Sequence, residues 1–313
     1  MTAARLSRSA PASAVFAVAL AGFLAVGLLG ARGYVDNFLQ YRGFAPPREP
    51  AFVAHPGTLQ RLLVPSPSLG HPQEAYVYLP PSYAQHPNRR YPVLYLLHGF
   101  PGRPLAFIET VQMGIVEDTL TTRHRAAPLI LVMPFGSTST FNDEEWVNGI
   151  SPDARWASFV SHDVVDTIDN RYRTIRTASG RGIGGLSEGG YGAINIALHH
   201  PREFSVVESW SGYERPDALR SLFGKHLQLL AANDPRLLLP RVAPVLRKRH
   251  TYFWFYSGST DRFRHQNAAF ARELAQEHIP HHYFRVFGGH TWAIWRDSAR
   301  AAYIAAATRL SHA

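Results

Sequence analysis

Short apolar runs alternate with stretches of helical periodicity along most of the chain. Six runs rich in leucine, β-branched and aromatic residues predict strands. These cover residues 75–79, 91–97, 129–133, 205–210, 251–256 and 282–287. Residues 157–171 and 292–310 place their apolar positions at helical spacing. This alternation predicts an α/β fold, with a mostly parallel central sheet and helices on both faces.

A G-x-S-x-G pentapeptide, from Gly185 to Gly189 with Ser187 at its centre, is the most informative stretch. This spacing is typical of a serine held on a strained turn between a strand and a helix, where side chains at the glycine positions would clash. Residues 181–184 predict the strand, although two of the four are glycine, and residues 191–200 predict the helix. The helix N-terminus would then stabilise negative charge near the serine.

Two further residues complete the chain order serine, acid, histidine that accompanies this motif. His290 follows a predicted strand and two glycines, which suits an exposed general base. Asp261 follows the aromatic strand and is the acid candidate, since it would fix the histidine tautomer. The alternative is that Asp261 caps a helix over residues 264–277. The other candidates for the acid are Glu208 and Glu214.

The oxyanion of an acyl-transfer intermediate needs two preorganised donors, one beside the nucleophile and one from an earlier loop. We expect these donors to be the backbone amides of Glu188 and Phe100. Phe100 lies in the loop over residues 98–102, which follows a strongly apolar strand. His98, in the same loop, is expected to brace the backbone rather than react.

Three residues are candidates for the wall of a substrate pocket: Glu145, Trp146 and Trp292. The first two follow a strand on the side where such sheets bind ligands, and the third follows the candidate base. A solvated acidic loop and ordinary core packing are the alternatives. No histidine stands at ligand spacing beside the acidic loop, so we predict no metal site and no cofactor.

Five segments together carry a family resemblance that spans most of the chain after Gly57: YVYLPPSY, YPVLYLLHG, GLSEGGYGAINIALHHP, YSGSTD and GGHTWAIW. In order and spacing they resemble the esterase family that includes esterase D, feruloyl esterases, enterochelin esterase and the antigen 85 mycolyltransferases. The resemblance implies an α/β-hydrolase fold with Ser187 as nucleophile, Asp261 as acid and His290 as base. The last segment is closer to the feruloyl and enterochelin branch. Glutamate follows the serine where some members have methionine.

The N-terminal part is a separate unit with an unbroken apolar run of 18 residues, 14–31, preceded by Arg5 and Arg8. At about 1.5 Å per residue, this run nearly spans a bilayer core of roughly 30 Å. Basic residues on its N-terminal side favour a signal-anchor helix with the catalytic domain outside the cell membrane. The alternative is secretion after signal-peptide cleavage, although the best site lacks a small residue three positions before the cut. The predicted organisation is a cytoplasmic N-terminus over 1–13, a transmembrane helix over 14–31, a tether over 32–56 and a catalytic domain over 57–313.

Composition adds three constraints. The net charge of +9 suggests attraction to anionic lipid or cell-wall polymer, with an arginine-rich genome as the alternative explanation. The chain has no cysteine, which excludes disulfides and thiol catalysis. No nucleic-acid-binding module is recognisable, so nucleic acid is not an expected partner. The sequence gives no indication of oligomeric state.

These features predict a serine carboxylic ester hydrolase that acts through an acyl-enzyme. The expected substrate is an extracytoplasmic lipid, cell-wall or small-molecule ester. One alternative is an acyltransferase of the mycolyltransferase type, which passes the acyl group to a hydroxyl other than water. A second is a non-catalytic, hydrolase-like surface binding protein, which is disfavoured because all three reactive positions are filled.

Overall fold

A computed structural model describes residues 20–25, 27–28 and 48–310 of the chain. The chain divides into two compact units, Met1–Ala45 and Pro46–Ala313. Residues 20–25 and 27–28, in the first unit, are helical and are labelled α1. Most of the predicted transmembrane helix over 14–31 lies outside the described residues. Within the described part, no helix has the length and apolar character needed to span a bilayer.

The second unit contains one eight-stranded sheet in the described part of the chain. The strands run in the order β1-β2-β4-β3-β5-β6-β7-β8. The β1–β2 and β2–β4 pairs are antiparallel, and every later pair is parallel. The strands are β1 Thr58–Val64, β2 Gln73–Leu79, β3 Val93–Leu97, β4 Ile130–Pro134, β5 Arg181–Leu186, β6 Val206–Trp210, β7 Tyr252–Gly258 and β8 His281–Val286.

The helices connect these strands and cover the sheet in two layers. Helix α9 contacts both α6 and α10 in one layer, and α3 and α11 contact each other in the second. A π-helical turn, Phe159–Val164, joins α4 to α5, and a 3-10 turn, Ala178–Gly180, precedes β5. The α-helices are α2 Ala106–Glu109, α3 Met113–Thr122, α4 Trp156–Ser158, α5 Val165–Arg171, α6 Glu188–His199, α7 Arg220–Phe223, α8 Leu227–Ala232, α9 Pro235–Arg249, α10 Arg264–Gln276 and α11 Trp292–Arg309.

All six apolar runs form strands, as predicted, and the glycine-rich segment before the serine is the central strand β5. Its glycines lie where neighbouring strands pack closely. A Cβ on Gly182 would come within 3.1 Å of the Leu94 side chain, and one on Gly184 within 3.0 Å of the Glu208 Cβ. Close packing between strands therefore explains why a segment of weak strand propensity occupies the middle of the sheet.

Strand β1 and five helices, α2, α3, α7, α8 and α9, were not predicted. Only Leu62 and Val64 are buried in β1, which is an edge strand, so it shows no continuous apolar run. Helix α9 contains Pro240 and Pro244, which normally argue against a helix. Its start is well specified, because the Asp234 side chain accepts a hydrogen bond from the Arg236 amide.

The end of β3 and the first turn of α6 approach closely enough to require glycine. A Cβ on Gly189 would lie 1.9 Å from the carbonyl oxygen of Leu97, a backbone atom that cannot move aside cheaply. We predict that Gly189→Ala lowers the free energy of unfolding by about 3 kcal/mol or more, because it overpacks this junction. The measurement is urea denaturation followed by circular dichroism.

Gly182→Ala is the matched control. Its added methyl group would meet the end of the flexible Leu94 side chain, so we expect a change of about 1 kcal/mol or less. Equal losses in the two variants would show that the contact with Leu97 does not limit the fold.

Candidate active site

Ser187 lies between the end of β5 and the first residue of α6, and its backbone is strained. Its φ of 54° and ψ of −121° fall in a region that residues with a side chain rarely adopt. The Ser187 amide donates to the Trp210 carbonyl at 3.1 Å, and the Ser187 carbonyl accepts from the amides of Gly190 and Tyr191 at 2.9 and 3.2 Å. These bonds hold the serine in the sharp turn that its motif predicts.

The structure brings Ser187, His290 and Asp261 together in one hydrogen-bonded chain. Ser187 Oγ lies 2.8 Å from His290 Nε2, and His290 Nδ1 lies 2.9 Å from Asp261 Oδ2. The serine follows β5, the aspartate follows β7, and the histidine follows β8. Because these strands are parallel, their carboxyl ends meet at one edge of the sheet, which is why residues far apart in sequence converge.

Asp261 is fully buried, yet it is supplied with hydrogen-bond donors. The Ser211 hydroxyl donates to Oδ2 at 2.6 Å, and the Phe263 amide donates to Oδ1 at 2.8 Å. Burial alone would raise the pKa of the Asp261 carboxyl, but the bonds from His290, Ser211 and Phe263 outweigh it and lower the pKa. The carboxylate is therefore charged at neutral pH and able to hold an imidazolium.

The alternatives for the acid have different surroundings. Asp261 Oδ1 accepts the Phe263 amide in the turn that leads into α10, as the capping alternative expects, while Oδ2 is bonded to His290, so the two roles are compatible. Glu208 is buried and accepts from the Trp210 indole at 3.0 Å, and burial raises its pKa to about 8. Burial also raises the pKa of Glu214 well above its usual range. In the described region, neither glutamate has a hydrogen bond to His290.

Aromatic rings confine the His290 imidazole. Trp295 and Phe263 meet it edge-on, with ring centroids 5.0 and 5.4 Å away. The Trp295 indole donates to the Trp210 carbonyl at 3.0 Å, which fixes this wall to the same carbonyl that holds the serine amide. Ser211 and Phe263 were not predicted as site residues. The signal for Ser211 is its position directly after β6, at the carboxyl edge of the sheet.

The loop that contains Phe100 lies directly beside the serine. A Cβ on Gly99 would be 3.0 Å from the Cβ of Ser187. Glu188 is the first residue of α6, so its amide has no acceptor inside the helix. Among the described residues, neither the Phe100 amide nor the Glu188 amide has a hydrogen-bond acceptor, and both are free to bind an oxyanion.

His98 braces this loop, as expected from the sequence. Its Nδ1 lies 3.0 Å from the Gly99 carbonyl, and its Nε2 accepts the Gly136 amide at 3.1 Å, so the neutral ring carries its proton on Nδ1. Burial lowers the pKa of His98 to about 4, which keeps the ring neutral. The Trp146 indole donates to the His98 carbonyl at 3.0 Å and closes the brace.

The three candidate pocket residues are all buried. Trp146 packs edge-on against His98, and Trp292 packs edge-on against Trp295. The Glu145 carboxyl accepts from the Tyr213 hydroxyl at 3.0 Å and from the Asp217 amide at 2.8 Å. These contacts tie together the loops that surround the serine. Contact of any of the three with substrate remains a prediction.

The glutamate that follows the serine is uncharged. Glu188 is buried, and its pKa is raised well above the usual range by desolvation and by the neighbouring carboxyls of Asp143 and Glu145. A carboxylate at this position would repel the negative charge that develops on a substrate oxygen. Burial therefore makes a glutamate compatible with an oxyanion site. Among the described residues, no cluster of histidine or acidic side chains has the arrangement of a metal site.

Glu145 makes the stability of the fold depend on pH. Burial raises its pKa from 4.5 to about 8, so the folded protein retains a proton that the unfolded chain has lost. The contribution of this proton to the free energy of unfolding is greatest below pH 4.5 and decreases as the pH rises towards 8. Glutamine does not titrate, so we predict that the free energy of unfolding of Glu145→Gln falls less steeply with pH than that of the wild type. The difference in slope should be up to about 1.4 kcal/mol per pH unit. Urea denaturation of both proteins between pH 5 and 8 measures the difference. Parallel curves would contradict the assignment of a neutral carboxyl.

Comparison with known proteins places these features in a family. Residues 66–305, more than half of the chain, match the model of the Esterase family, whose description is "Putative esterase". An uncharacterised Corynebacterium glutamicum protein is 27% identical over 235 residues, which cover 72% of this chain and 54% of that protein. An esterase of Mycobacterium tuberculosis is 32% identical over 137 residues, which cover 44% of this chain and 28% of that protein. The chain thus spans about half or less of the length of these relatives.

The fold is also that of solved structures. A ferulic acid esterase superposes with a TM-score of 0.71 at 22% identity, covering 81% of this chain and 99% of that one. At this identity, the similarity shows the fold alone. An eight-stranded, mostly parallel sheet with the strand order described above is the α/β-hydrolase-like arrangement. By its family match and its architecture, the chain belongs to the esterase family.

Proposed function

We propose that this protein is a serine carboxylic ester hydrolase that acts through an acyl-enzyme, with Ser187, His290 and Asp261 as its catalytic triad. The observation that carries the proposal is the continuous chain of hydrogen bonds from Ser187 Oγ through His290 to Asp261, at 2.8 and 2.9 Å. Membership of the esterase family supports an ester as the substrate.

In the proposed mechanism, His290 Nε2 takes the hydroxyl proton as Ser187 Oγ attacks the ester carbonyl carbon. The resulting oxyanion accepts hydrogen bonds from the amides of Phe100 and Glu188. Protonated His290, stabilised by the Asp261 carboxylate, gives its proton to the alcohol oxygen, and the bond from carbon to that oxygen breaks. Water then attacks the acyl-enzyme with His290 as base, releasing the acid and restoring the serine.

Acyl transfer, in the manner of a mycolyltransferase, forms the same acyl-enzyme. It differs only in the molecule that accepts the acyl group when the acyl-enzyme breaks down. A sugar or lipid hydroxyl would then replace water, and the product would be a new ester instead of a free acid. Measuring the acid released per alcohol released distinguishes the two. A ratio of one corresponds to hydrolysis, and a ratio well below one in the presence of an acceptor hydroxyl corresponds to transfer.

We further propose that the apolar run over residues 14–31 anchors the protein in the cell membrane with the catalytic domain outside. Its 18 uncharged residues and the preceding arginines support this arrangement. The expected substrate is then an extracytoplasmic lipid, cell-wall or small-molecule ester. Recovery of the protein in the soluble extracellular fraction, beginning after Ala31, would instead establish cleavage and secretion.

Removing the nucleophile tests the proposed activity. We predict that Ser187→Ala reduces turnover of p-nitrophenyl acetate by about 10⁴-fold or more and abolishes labelling by a fluorophosphonate probe. The control is Ser221→Ala, which changes an exposed serine and should retain wild-type turnover. If the wild type is neither labelled nor active, the protein is a hydrolase-like binding protein instead.

The acid can be tested against its alternatives with isosteric changes. We predict that Asp261→Asn lowers kcat by about 10⁴-fold, because an amide cannot hold the correct imidazole tautomer or stabilise its charge. Glu208→Gln and Glu214→Gln are the matched controls, and we expect both to stay within about threefold of wild type, since neither carboxyl contacts His290. A large loss in either control, with normal thermal stability, would move the role of the acid to that residue.

A further inference from the structure

A cavity lies at the end of the sheet opposite to the serine. It has a volume of about 670 Å³ and is bounded by three chain segments, over residues 52–55, 81–89 and 121–128. The second segment precedes β3 and the third precedes β4, so the cavity adjoins the amino ends of these parallel strands. Ser187 follows the carboxyl end of β5. The five residues of β3 separate the two ends by about 16 Å, so the cavity is distinct from the candidate active site.

The charge in this cavity has one sign. Five of its lining side chains are arginine or histidine, and none is aspartate or glutamate. The basic residues are His55, His86, Arg89, His124 and Arg125. Arg89 is half-buried and the other four are exposed, and within residues 48–310 none of the five has a salt bridge to a carboxylate. The positive charge is therefore not neutralised by the protein itself.

Local structure accounts for only part of this charge. His124 and Arg125 follow the C-terminus of α3, where cations complement the helix dipole. His55, His86 and Arg89 belong to the other two segments, which contain no helix. The Arg89 guanidinium lies over the Tyr91 ring, 5.2 Å from its centroid, which leaves its N–H donors without a carboxylate partner, whereas the Arg90 guanidinium donates to the Thr174 carbonyl at 3.0 Å.

The carboxyl groups on the adjoining helix are occupied elsewhere. The Asp118 carboxyl accepts from the Gly57 amide at 3.0 Å and from the Tyr78 hydroxyl at 2.7 Å, and it is fully buried. The Glu117 carboxyl accepts from the Leu129 amide and the Tyr303 hydroxyl, each at 2.9 Å. Neither lines the cavity. An anion entering the cavity would thus meet basic side chains without a competing carboxylate at the wall.

The rest of the wall is partly apolar, and the volume of the cavity exceeds that of a simple ion. Phe52, Pro81, Ala126, Ala127 and Pro128 contribute this surface. A volume of about 670 Å³ lies within the range of pockets that hold organic molecules, whereas inorganic phosphate would fill a small part of it. Arginine pairs with phosphate oxygens through its fork of donors, and apolar walls favour a ligand with a hydrocarbon or ring portion.

We propose that this cavity binds an organic phosphate, meaning a phosphate group joined to an apolar body, at a site separate from the serine. Arg89 and Arg125 bind the phosphate oxygens, the three histidines add donors around them, and the apolar residues contact the body of the ligand. The phosphate group has two sources, a phospholipid headgroup or a soluble phosphate ester. The chemistry of recognition is the same for both.

Calorimetric titration of the full-length protein with phenyl phosphate tests the proposal, with inorganic phosphate and phenol as the separate halves of the probe. We expect phenyl phosphate to bind more tightly than inorganic phosphate or phenol, because it contacts both the basic and the apolar residues of the wall. Binding should weaken by about tenfold or more in the double variant Arg89→Gln/Arg125→Gln, which loses both guanidinium groups. Absence of phenyl phosphate binding to the wild type would overturn the proposal.

Two controls separate this site from general attraction to a basic protein. The double variant Arg202→Gln/Arg272→Gln removes the same charge from exposed positions elsewhere and should change affinity by less than about twofold. Thr122→Trp places a large ring at the wall of the cavity without altering charge and should weaken binding by about tenfold or more. Equal weakening in the two arginine variants, or unchanged binding in Thr122→Trp, would overturn the site. Melting temperatures establish that each variant is folded.

Vesicles identify the source of the phosphate. Displacement of phenyl phosphate by phosphatidylglycerol vesicles, but not by phosphatidylcholine vesicles, would support a lipid headgroup as the ligand. Displacement by glycerol 3-phosphate alone would support a soluble phosphate ester. Both readouts measure binding, so they remain valid for the Ser187→Ala variant and do not depend on the proposed esterase activity.

Discussion

The close approach of the first turn of α6 to the end of β3 is the constraint on which the candidate site depends. A side chain at Gly189 would collide with the Leu97 carbonyl, and one at Gly185 would lie 2.4 Å from the backbone of Gly189. With both positions free of side chains, the helix begins directly after the strand, and Ser187 takes up the whole change of direction. The strained φ of 54° is therefore a consequence of packing that glycine permits on either side.

Burial and hydrogen bonding together determine which carboxyls around the serine carry charge. Several carboxyls nearby are buried, and burial alone favours the neutral form of each. Asp261 differs because it receives bonds from a hydroxyl, an amide and an imidazole, whereas both oxygens of Glu214 lack a hydrogen-bond partner within residues 48–310. Asp261 and its neighbours are all buried, so depth of burial does not distinguish them. The number of hydrogen bonds donated to each carboxyl does, and it leaves Asp261 charged and suited to stabilise an imidazolium.

The sequence predicted the fold and selected three residues that the structure joins by hydrogen bonds, because the signals for both are local. Fully buried strands such as β3 and β4 appear as continuous apolar runs, and Ser187 and His290 have glycines beside them. The edge strand β1 was missed because most of it faces solvent, and α9 was missed because tertiary packing tolerates its internal prolines. The donors to Asp261 and the rings around His290 could not be predicted, since they come from segments brought together only by folding.

Glu188 shows why the chemistry of a site cannot be deduced from its motif alone. The sequence places a glutamate beside the proposed nucleophile, where a charged carboxylate would oppose formation of an oxyanion. Its pKa is raised mainly by burial, and the neighbouring carboxyl of Asp143, in the loop that also carries Glu145, raises it further. The Glu145 carboxyl is in turn bonded to Tyr213 and to the Asp217 amide beyond β6. Through Asp143, this loop therefore favours the neutral form of Glu188, which is the form that the proposed oxyanion site requires.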